Sequence, residues 1–290
     1  MQVLQCGRFK FDLERPLIMA IINVTPDSFS GDGVWRDVDQ AVRSAERAIA
    51  EGADILDLGG ESTRPGASPV SEQEELDRVI PLVERLADCP IPVSVDTFKP
   101  VVMRAALAVG ASLINDISGF RAPGAIEAVR ESDAALCVMH MKGEPRDMQR
   151  DPQYEDVVAE VLEFLGERVD ALLAAGVRRE RLLLDPGFGF GKTLEQNLAM
   201  MRALDRFIAT GYPQLIGVSR KSMIGAITGK PTSERVAGSV AAAMLGVELG
   251  ARIVRVHDVA PTRDAIAVWQ AVRQPQFLVP HRASVVDAII

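Results

Sequence analysis

Several polar residues that could hold a flat, hydrogen-bonding ligand stand where apolar runs of the sequence end. Asp96, Asn115, Asp185 and Lys221 each close or follow such a run. Carboxylate, carboxamide and ammonium groups around one cavity offer the acceptors and donors that a planar heterocycle with amino and carbonyl edges needs. Any single Asp or Asn in such a place is more often a helix N-cap or a turn residue. The prediction therefore rests on the convergence of many run ends, which are Asn23, Asp57, Asp96, Asn115, Asp116, Met139, His140, Asp185, Ser219, Arg220, Lys221, Arg255 and His257.

Cationic residues form a second group with the chemistry of a phosphate site. Its members are Arg64, Arg255 and His257, and guanidinium groups suit phosphate in shape as well as in charge. Arg255 and His257 are two residues apart, so in a strand their side chains would face the same side. A surface salt bridge is the usual role of a single arginine, but this spacing at a strand end favours a binding site. Asn23 is a candidate oxygen ligand for Mg2+, which accompanies phosphate and takes few protein ligands.

Two further segments have the composition of ligand-binding turns. Asp185–Lys192 carries glycine at every second position but matches neither the P-loop nor the dinucleotide fingerprint. Phe188 and Phe190 within it are candidate contacts for an aromatic ligand, with core packing as the alternative for Phe188. Ser222 precedes a helix-like stretch, where free N–H groups and its hydroxyl could bind a carboxylate. The three histidines are too scattered for a zinc site, and no nucleophile–base–orienter arrangement is present, so we expect catalysis by positioning and charge stabilisation.

The elements that must position these residues alternate along the chain as strand and helix. Several apolar runs lack strict alternation, which suits a parallel sheet covered on both faces. The predicted strands are Leu17–Val24, Asp54–Leu58, Ile91–Val95, Ser112–Asp116, Ala134–Met139, Arg181–Leu184, Gln214–Val218 and Arg252–Val256. The predicted helices are Val38–Glu51, Glu72–Ala87, Pro100–Val109, Pro123–Glu131, Glu155–Ala175, Leu194–Thr210, Ser233–Leu249 and Thr262–Arg273. Eight strand–helix pairs favour an α/β fold that closes as a single (β/α)8 TIM barrel, with its site at the C-terminal ends of the strands, over an open doubly wound sheet.

The chain is predicted to form one domain over residues 1–290, with the barrel core at about 16–273 and a C-terminal tail at 274–290. Two small α/β domains are the alternative, but no linker-like composition divides the 290 residues. Two loops rich in glycine and proline, Thr25–Trp35 and Gly59–Val70, follow predicted strands. They are candidate lids over the site, with ordinary long connections as the alternative.

The overall charge and composition of the chain limit the kinds of molecule that it could bind. A net charge of −8 argues against nucleic acid, whose partners normally show a basic face, although local cations can still bind a small anion. No apolar stretch approaches the ~18 residues that span a bilayer, and the N-terminus lacks a signal-peptide pattern. Cys6, Cys89 and Cys137 are odd in number and lack metal-ligand spacing. The composition therefore predicts a cytoplasmic protein that acts on small molecules, with no membrane or nucleic-acid partner.

Seven motifs lie in order along nearly the whole chain. They are Ile22–Ser30 (INVTPDSFS), Asp57–Gly66 (DLGGESTRPG), Ser94–Thr97 (SVDT), Ile114–Asp116 (IND), Asp185–Lys192 (DPGFGFGK), Ser219–Gly225 (SRKSMIG) and Arg255–Asp258 (RVHD). One of them alone would be weak evidence, but seven at predicted strand ends are highly specific. With these motifs the sequence resembles the dihydropteroate synthase family, pterin-binding TIM-barrel enzymes of bacterial folate biosynthesis.

The resemblance implies a transferase that condenses 6-hydroxymethyl-7,8-dihydropterin pyrophosphate with 4-aminobenzoate, giving 7,8-dihydropteroate and pyrophosphate on an SN1-like path with Mg2+. It implies that the pterin lies on Asp96, Asn115, Met139, Asp185, Lys221 and Arg255. It implies that Asn23, Arg64, Arg255 and His257 hold the pyrophosphate, with Asn23 as metal ligand. The implied aminobenzoate pocket, which is also the expected sulfonamide site, consists of Thr63, Pro65, Phe190, Lys221 and Ser222. The residues implied to be catalytic are Asp96, Arg64, Arg255 and His257.

In one place the chain departs from the family's pattern. The family's first loop usually reads Ser-Phe-Ser-Asp-Gly-Gly, whereas this chain reads Ser-Phe-Ser-Gly-Asp-Gly, which displaces Asp32 by one position. The displacement bears on the lid contacts of Phe29 and Asp32 rather than on the reaction.

Two other functions stay open at this point. A methyltransferase barrel that takes a methyl group from a reduced folate would not need the Ser-Thr-Arg-Pro loop or the Ser-Arg-Lys-Ser turn, and both are present. A non-catalytic paralogue should have lost some of the charged residues, and none is missing. The resemblance also suggests a homodimer formed through the late helices, away from the active site.

Overall fold

Eight parallel strands form the centre of the molecule. The computed structural model describes residues 2–24, 34–62, 69–144 and 147–273. Its strands are β1 (Val3–Cys6), β2 (Phe9–Asp12), β3 (Leu17–Asn23), β4 (Ile55–Gly59), β5 (Val93–Asp96), β6 (Leu113–Asp116), β7 (Ala135–Met139), β8 (Leu182–Asp185), β9 (Leu215–Ile216) and β10 (Ile253–Val256). The parallel sheet has the order β8-β7-β6-β5-β4-β3-β10-β9, and a parallel bridge between Leu184 and Gln214 joins its two ends. The sheet therefore closes on itself as a barrel.

Helices follow the strands and cover the outside of the barrel. They are α1 (Val34–Ala50), α2 (Glu72–Leu86), α3 (Pro100–Ala108), α4 (Ala125–Val129), α5 (Val157–Ala174), α6 (Leu194–Arg202), α7 (Leu204–Ile208), α8 (Ser222–Thr228), α9 (Val236–Glu248) and α10 (Val259–Arg273). Local sequence explains several of their first residues. Asp156 accepts the backbone N–H groups of the first turn of α5, and Thr193 with Gln196 forms a capping box at α6.

Strand side chains separate into an outward and an inward set, because neighbouring residues of a strand face opposite sides. Ile18, Ala20 and Ile22 of β3 belong to the large outer core between strands and helices. Leu17 and Met19 of the same strand belong to a second cluster inside the barrel. The other buried members of this interior cluster are Leu4, Cys6, Leu13, Ile55, Leu113, Ala135, Cys137, Leu183, Leu215 and Ile253.

The hairpin of β1 and β2 covers the N-terminal end of the barrel. Gly7 in its turn has a φ of +59°, a left-handed conformation that glycine adopts without strain. Leu4 and Cys6 are fully buried in the interior cluster, and the Cys6 thiol donates to the Ser112 carbonyl at 3.1 Å. Apolar side chains thus fill this end, and the polar interior residues lie at the opposite end, where the strands finish.

The closed strand order confirms the predicted (β/α)8 barrel over the open sheet. Each of the eight predicted strands and helices has a counterpart, with ends moved by a few residues. The helix predicted at 194–210 is wrong as one element, because Ala203, with φ −101° and ψ +21°, separates α6 from α7 without a glycine or proline to mark the break. The strand predicted at 214–218 is reduced to β9, and the hairpin of β1 and β2 was not predicted.

Some predictions concern segments outside the described residues. These segments are residues 25–33 of the first candidate lid, residues 63–68 of the second, and the tail at 274–290. The assignment of residues 1–290 to one domain stays a prediction. Among the described helices, none is long and apolar enough to cross a membrane.

Candidate active site

The barrel interior changes from apolar to polar toward the C-terminal ends of the strands. In four strands an interior apolar residue is followed two positions later by a polar or charged one. Because residues two apart in a strand face the same side, each such pair points into the barrel. The pairs are Ile55 and Asp57, Leu113 and Asn115, Leu183 and Asp185, and Ile253 and Arg255. We call the end of the barrel where these polar residues lie its mouth.

Arg255 lies between two carboxylates at the centre of the mouth. Its Nε is 2.6 Å from Asp57 Oδ2, and its Nη2 is 2.8 Å from Asp96 Oδ2. Asp57 has no exposure to solvent, and the Ser94 hydroxyl donates to its second oxygen at 2.6 Å. A buried carboxylate is stable only when it is paired and hydrogen-bonded. Asp57 meets this requirement and thereby fixes the direction of the guanidinium.

Burial and charge act in opposite directions on this cluster. Burial disfavours ionisation and raises the pKa of Asp96 to about 7; Arg255 opposes the shift, and the neighbouring carboxylate of Asp57 adds to it. Burial lowers the pKa of Arg255, but Asp57 and Asp96 outweigh it, so that pKa is raised above the ordinary value. Arg255 is therefore a permanent cation, whereas Asp96 changes its charge near neutral pH.

A second charged pair lies beside the glycine-rich loop that follows β8. Burial lowers the pKa of Lys221 to about 8 against the opposing effect of Asp185, and burial raises the pKa of Asp185 against the opposing effect of Lys221. One Asp185 oxygen accepts the Gly187 backbone N–H at 2.7 Å. The Lys221 ammonium donates to the Phe188 carbonyl and lies 4.5 Å from the centre of the Phe190 ring. The mouth thus presents a carboxylate, a cation and an aromatic ring side by side.

Asn115 leaves a buried acceptor for a ligand. Its Nδ2 is 3.5 Å from Asp57 Oδ2, at the limit of a hydrogen bond. Its Oδ1 is buried and accepts no hydrogen bond from any residue that the structure describes. An unpaired buried acceptor costs about 1–3 kcal/mol, and few occur in native proteins. A ligand N–H group at the mouth would remove this cost.

An apolar wall lies beside these polar groups. Met139, at the end of β7, is buried in a small cluster against which Phe98 and Phe190 pack. The other buried members of the cluster are Ile117, Met141 and Met148. Thioether side chains adapt to the outline of a neighbouring group, so the wall is suited to the face of a flat ring.

The turn after β9 is fixed to the end of β10. The His257 backbone N–H donates to Ser219 Oγ at 3.2 Å, and its Nδ1 is 3.0 Å from the same oxygen. Arg220 has a left-handed φ of +57°, and its guanidinium pairs with both carboxylate oxygens of Asp258. Ser222 follows as the exposed first residue of α8. The turn and the end of β10 therefore present Lys221, Ser222 and His257 on one rim of the mouth.

Asn23 offers an oxygen ligand on another part of the rim. It ends β3 opposite Gly59 of β4, and Gly59 in turn pairs with Asp96 of β5. No group of three or more His, Cys, Asp or Glu residues in the described ranges could hold a metal ion. A single amide oxygen still fits Mg2+, which commonly keeps water and substrate phosphate oxygens as its other ligands.

The structure brings a large part of the predicted site to the mouth. The predicted residues that it places there are Asn23, Asp96, Asn115, Met139, Asp185, Phe190, Lys221, Ser222, Arg255 and His257. The remaining predicted residues, Phe29, Asp32, Thr63, Arg64 and Pro65, lie outside the described residues. Phe188 is fully buried in the outer core, so core packing is the correct interpretation for that residue.

Two residues at the mouth were missing from the predicted ligand sets. Asp57 was identified only as the end of an apolar run, although a carboxylate inside a buried strand must have a partner and is itself a signal. Lys192 was noted only as the last residue of the motif Asp185–Lys192, and no role was assigned to it. Its side chain is 3% exposed and donates to a carbonyl of the glycine-rich loop. The sequence offered no sign that this lysine is buried.

Comparisons with known proteins agree with this geometry. The family model described as pterin binding enzyme matches residues 19–257. Dihydropteroate synthase of Haemophilus influenzae is 51% identical over 263 residues, which cover 90% of this chain and 95% of that protein. Dihydropteroate synthase of Burkholderia cenocepacia, solved with 7,8-dihydropteroate, is 57% identical with a TM-score of 0.87, covering 95% of this chain and 98% of that one. That of Xanthomonas albilineans, solved with 4-aminobenzoic acid, is 51% identical with a TM-score of 0.89 and covers 94% and 98%.

The raised pKa of Asp96 predicts a pH dependence of stability. In the folded protein Asp96 has a pKa of about 7 and stays protonated below that pH. In the unfolded chain its carboxyl has the ordinary pKa of 3.8. The unfolded state thus binds fewer protons between these values, so the free energy of unfolding falls as pH rises across them. Relative to Asp96→Asn, we expect the wild type to lose stability from about pH 4.5 to about pH 7 in urea unfolding. If the free energies of unfolding of the two proteins changed in parallel with pH, the pKa of Asp96 would be the same in the folded and unfolded states, and the prediction would be wrong.

Proposed function

The chain belongs to the pterin-binding enzyme family as a dihydropteroate synthase, a transferase, and we propose that its barrel mouth joins a dihydropterin pyrophosphate to 4-aminobenzoate. The full reaction condenses 6-hydroxymethyl-7,8-dihydropterin pyrophosphate with the amine and releases 7,8-dihydropteroate and pyrophosphate. The observation that carries the proposal is Arg255, held between Asp57 and Asp96 beside the unpaired carbonyl of Asn115. The methyltransferase and the non-catalytic paralogue are not favoured, because the similar proteins are dihydropteroate synthases at about half identity over nearly their whole length.

We propose that the pterin ring lies deep in the mouth. An ionised Asp185 accepts hydrogen bonds from the amino edge of the ring, and Lys221 donates to a ring acceptor. The Asn115 carbonyl, which has no partner among the described residues, accepts a ring N–H. Asp96 completes the polar edge, the guanidinium plane of Arg255 stacks over the ring, and Met139 lines the other face. Asp96, Asn115, Asp185 and Arg255 lie in the last two residues of their strands, and Lys221 lies in the turn before α8, which supports this placement.

We propose that breaking the carbon–oxygen bond to pyrophosphate is the difficult step. The bonding electron pair leaves with the pyrophosphate, and a cationic methylene carbon remains on the pterin. Asn23, Arg64, Arg255 and His257 hold the pyrophosphate and stabilise its increasing negative charge. Asn23 would hold Mg2+ at this place, and the ion would supply further positive charge beside the pyrophosphate. The carboxylate of Asp96 and the pterin ring stabilise the cation, which is why the path is SN1-like.

We propose that the arylamine nitrogen then attacks the methylene carbon and loses one proton to solvent or to the departing phosphate. An arylamine is already neutral near pH 7, so no strong base is needed, and Asp96, Arg64, Arg255 and His257 act by charge. Thr63, Pro65, Phe190, Lys221 and Ser222 form the aminobenzoate pocket. The Ser222 hydroxyl, exposed at the start of α8, takes the carboxylate. Sulfonamides, as mimics of aminobenzoate, should compete for this pocket. The role of Phe29 and Asp32 as lid residues belongs to the proposal, and both lie outside the described residues.

The direct test measures pyrophosphate release from the pterin substrate with and without 4-aminobenzoate. We expect release that depends on aminobenzoate, and a kcat at least about 100-fold lower in Arg255→Ala and in Asp185→Asn, because each change removes charge stabilisation or ring orientation. Removal of Mg2+ with a chelator should also lower the rate. Arg104→Ala, on the exposed face of α3, is the control and should keep the wild-type rate. Unchanged turnover in both site variants would contradict the proposed residue roles.

We propose that the protein is cytoplasmic and forms a homodimer through α9 and α10. Leu245 on α9 and Val268 and Val272 on α10 are 59%, 67% and 73% exposed, the three highest values among the large apolar side chains that the structure describes. Trp269 Nε1 donates to Glu248 Oε2 at 2.7 Å and ties the two helices into one surface. That surface lies on the outside of the barrel, so the mouth would stay accessible in the dimer.

The dimer is tested by placing a charge on this surface. Leu245→Asp should convert the protein to a monomer in sedimentation velocity, because an unpaired carboxylate buried in an apolar interface is costly. Leu173→Asp, at an exposed leucine of α5, is the matched control and should leave the sedimentation coefficient unchanged. A wild-type protein that sediments as a monomer would contradict the proposal.

A further inference from the structure

A buried lysine with no part in the proposed binding sets is bonded to the loop that carries Phe190. Lys192 is 3% exposed. Its Nζ is 2.9 Å from the Gly187 carbonyl oxygen, 3.0 Å from the Phe190 carbonyl oxygen and 2.9 Å from His140 Nδ1. These three contacts use every direction in which a lysine amine can bond. Lys192 therefore joins both ends of the segment Gly187–Phe190 to the end of β7.

The contact between Lys192 Nζ and His140 Nδ1 can form with the shared proton on either nitrogen. Burial, with help from the nearby Lys192, lowers the pKa of His140 to about 2, so the ring is neutral. If Lys192 is charged, it donates to all three acceptors; if it is neutral, His140 Nδ1–H donates to it and its two N–H groups still reach the two carbonyls. The bonds to Gly187 and Phe190 exist in both states. The role of Lys192 in holding the loop does not depend on its charge.

Side chains donate to each backbone carbonyl from Gly187 to Gly191 of the glycine-rich loop. Lys192 binds those of Gly187 and Phe190, and Lys221 binds that of Phe188. The Gly189 carbonyl accepts from Gln149 Nε2 at 2.6 Å, and the Gly191 carbonyl accepts from the Tyr154 hydroxyl at 2.8 Å. The loop has neither helical nor strand hydrogen bonding over these residues. Its shape is therefore set by these donors, by the glycines and by two bonds of its own N–H groups, Phe190 to the Gly187 carbonyl at 3.1 Å and Gly189 to Asn197 Oδ1 at 2.7 Å.

The glycines allow the loop to approach the neighbouring backbone closely. Gly187 has a φ of +73°, and a Cβ there would lie 1.9 Å from the His140 carbonyl oxygen. At Gly191, with a φ of +64°, a Cβ would lie 2.4 Å from the Lys142 carbonyl oxygen. No side chain fits at either position, so the loop packs directly on the segment after β7. Between these two glycines Phe190 is directed toward the Lys221 ammonium and the Met139 wall.

We propose that Lys192 is a positioning residue for the aminobenzoate ring, which it serves by fixing the loop that carries Phe190. This inference rests on the proposed function, because it names Phe190 as the wall of the aminobenzoate pocket. Lys192 lies close enough to Asp185 to oppose the rise that burial causes in the pKa of that carboxyl, but its hydrogen bonds go to Gly187, Phe190 and His140 and to no described residue of the proposed pterin site. We therefore expect the larger effect of Lys192 on the binding of aminobenzoate. By holding the carbonyls of Gly187 and Phe190, Lys192 fixes the backbone from which the Phe190 ring projects.

The test is a double-mutant cycle on the KM for aminobenzoate. Lys192→Met keeps the length of the side chain and removes its donors, and we expect it to raise this KM about tenfold, as the loss of one buried hydrogen bond would. The KM for the pterin substrate should stay within about threefold. In a Phe190→Leu background, Lys192→Met should add less than about twofold, because the ring that it positions is already gone. Lys230→Met, at an exposed lysine after α8, is the control and should change neither KM.

The inference would be overturned if Lys192→Met raised the aminobenzoate KM by the same factor with and without Phe190→Leu, since the lysine would then act independently of the ring. An unchanged KM in Lys192→Met would overturn it as well. If Lys192→Met does not fold, Tyr154→Phe removes the donor to Gly191 at the other end of the loop. It should raise the aminobenzoate KM about threefold, again only when Phe190 is present. A wild-type protein without aminobenzoate-dependent release would instead refute the proposed function.

Discussion

The mouth of this barrel depends on a carboxylate that has no contact with solvent. Asp57 lies inside β4 and accepts hydrogen bonds from Ser94 on the neighbouring strand and from Arg255 on β10. An unpaired charge in this position would be strongly destabilising, so the ion pair with Asp57 fixes the position of the Arg255 guanidinium. From there Arg255 reaches Asp96, and the balance of burial and charge leaves Asp96 with a pKa of about 7. One buried ion pair therefore sets both the direction of the permanent cation and the charge of the carboxylate next to it.

The barrel makes this arrangement possible by separating its two ends. The hairpin and the first interior residues of the strands fill the N-terminal end with apolar side chains, and the polar residues lie two positions further along the same strands. In the described part of the chain, the polar interior residues lie at the end where the strands finish, which is where we expect a ligand to bind. There the strand ends carry the charges, while the glycine-rich loop adds Phe190 and depends on Lys192 and Lys221 for its shape. Rigid strands thus hold the proposed pterin site, and side-chain hydrogen bonds hold the proposed amine pocket.

Local patterns in the sequence were sufficient to predict the barrel fold and to identify the candidate site residues at strand ends. Asn115 and Asp185 could be found because each follows an apolar run, and strand ends of a barrel meet at one face. The partner of Asp57 could not be found in this way, since Arg255 is 198 residues away and only closure of the barrel brings them together. The same holds for Cys6 and Ser112, 106 residues apart, and for Lys192 and His140, 52 apart. Phe188 and Phe190 have the same sequence context, and only packing distinguishes the core residue from the one at the mouth.

If Asp57 organises the mouth through Arg255, then Asp57→Asn, which preserves the shape of the side chain and removes its charge, should disable the site. The measurement is aminobenzoate-dependent pyrophosphate release, with the folded state checked by thermal unfolding. We expect a folded protein whose kcat is at least about 100-fold below that of the wild type, because the cation that stabilises the leaving group is no longer held in place. A folded Asp57→Asn variant that turns over within about twofold of the wild-type rate would contradict the account.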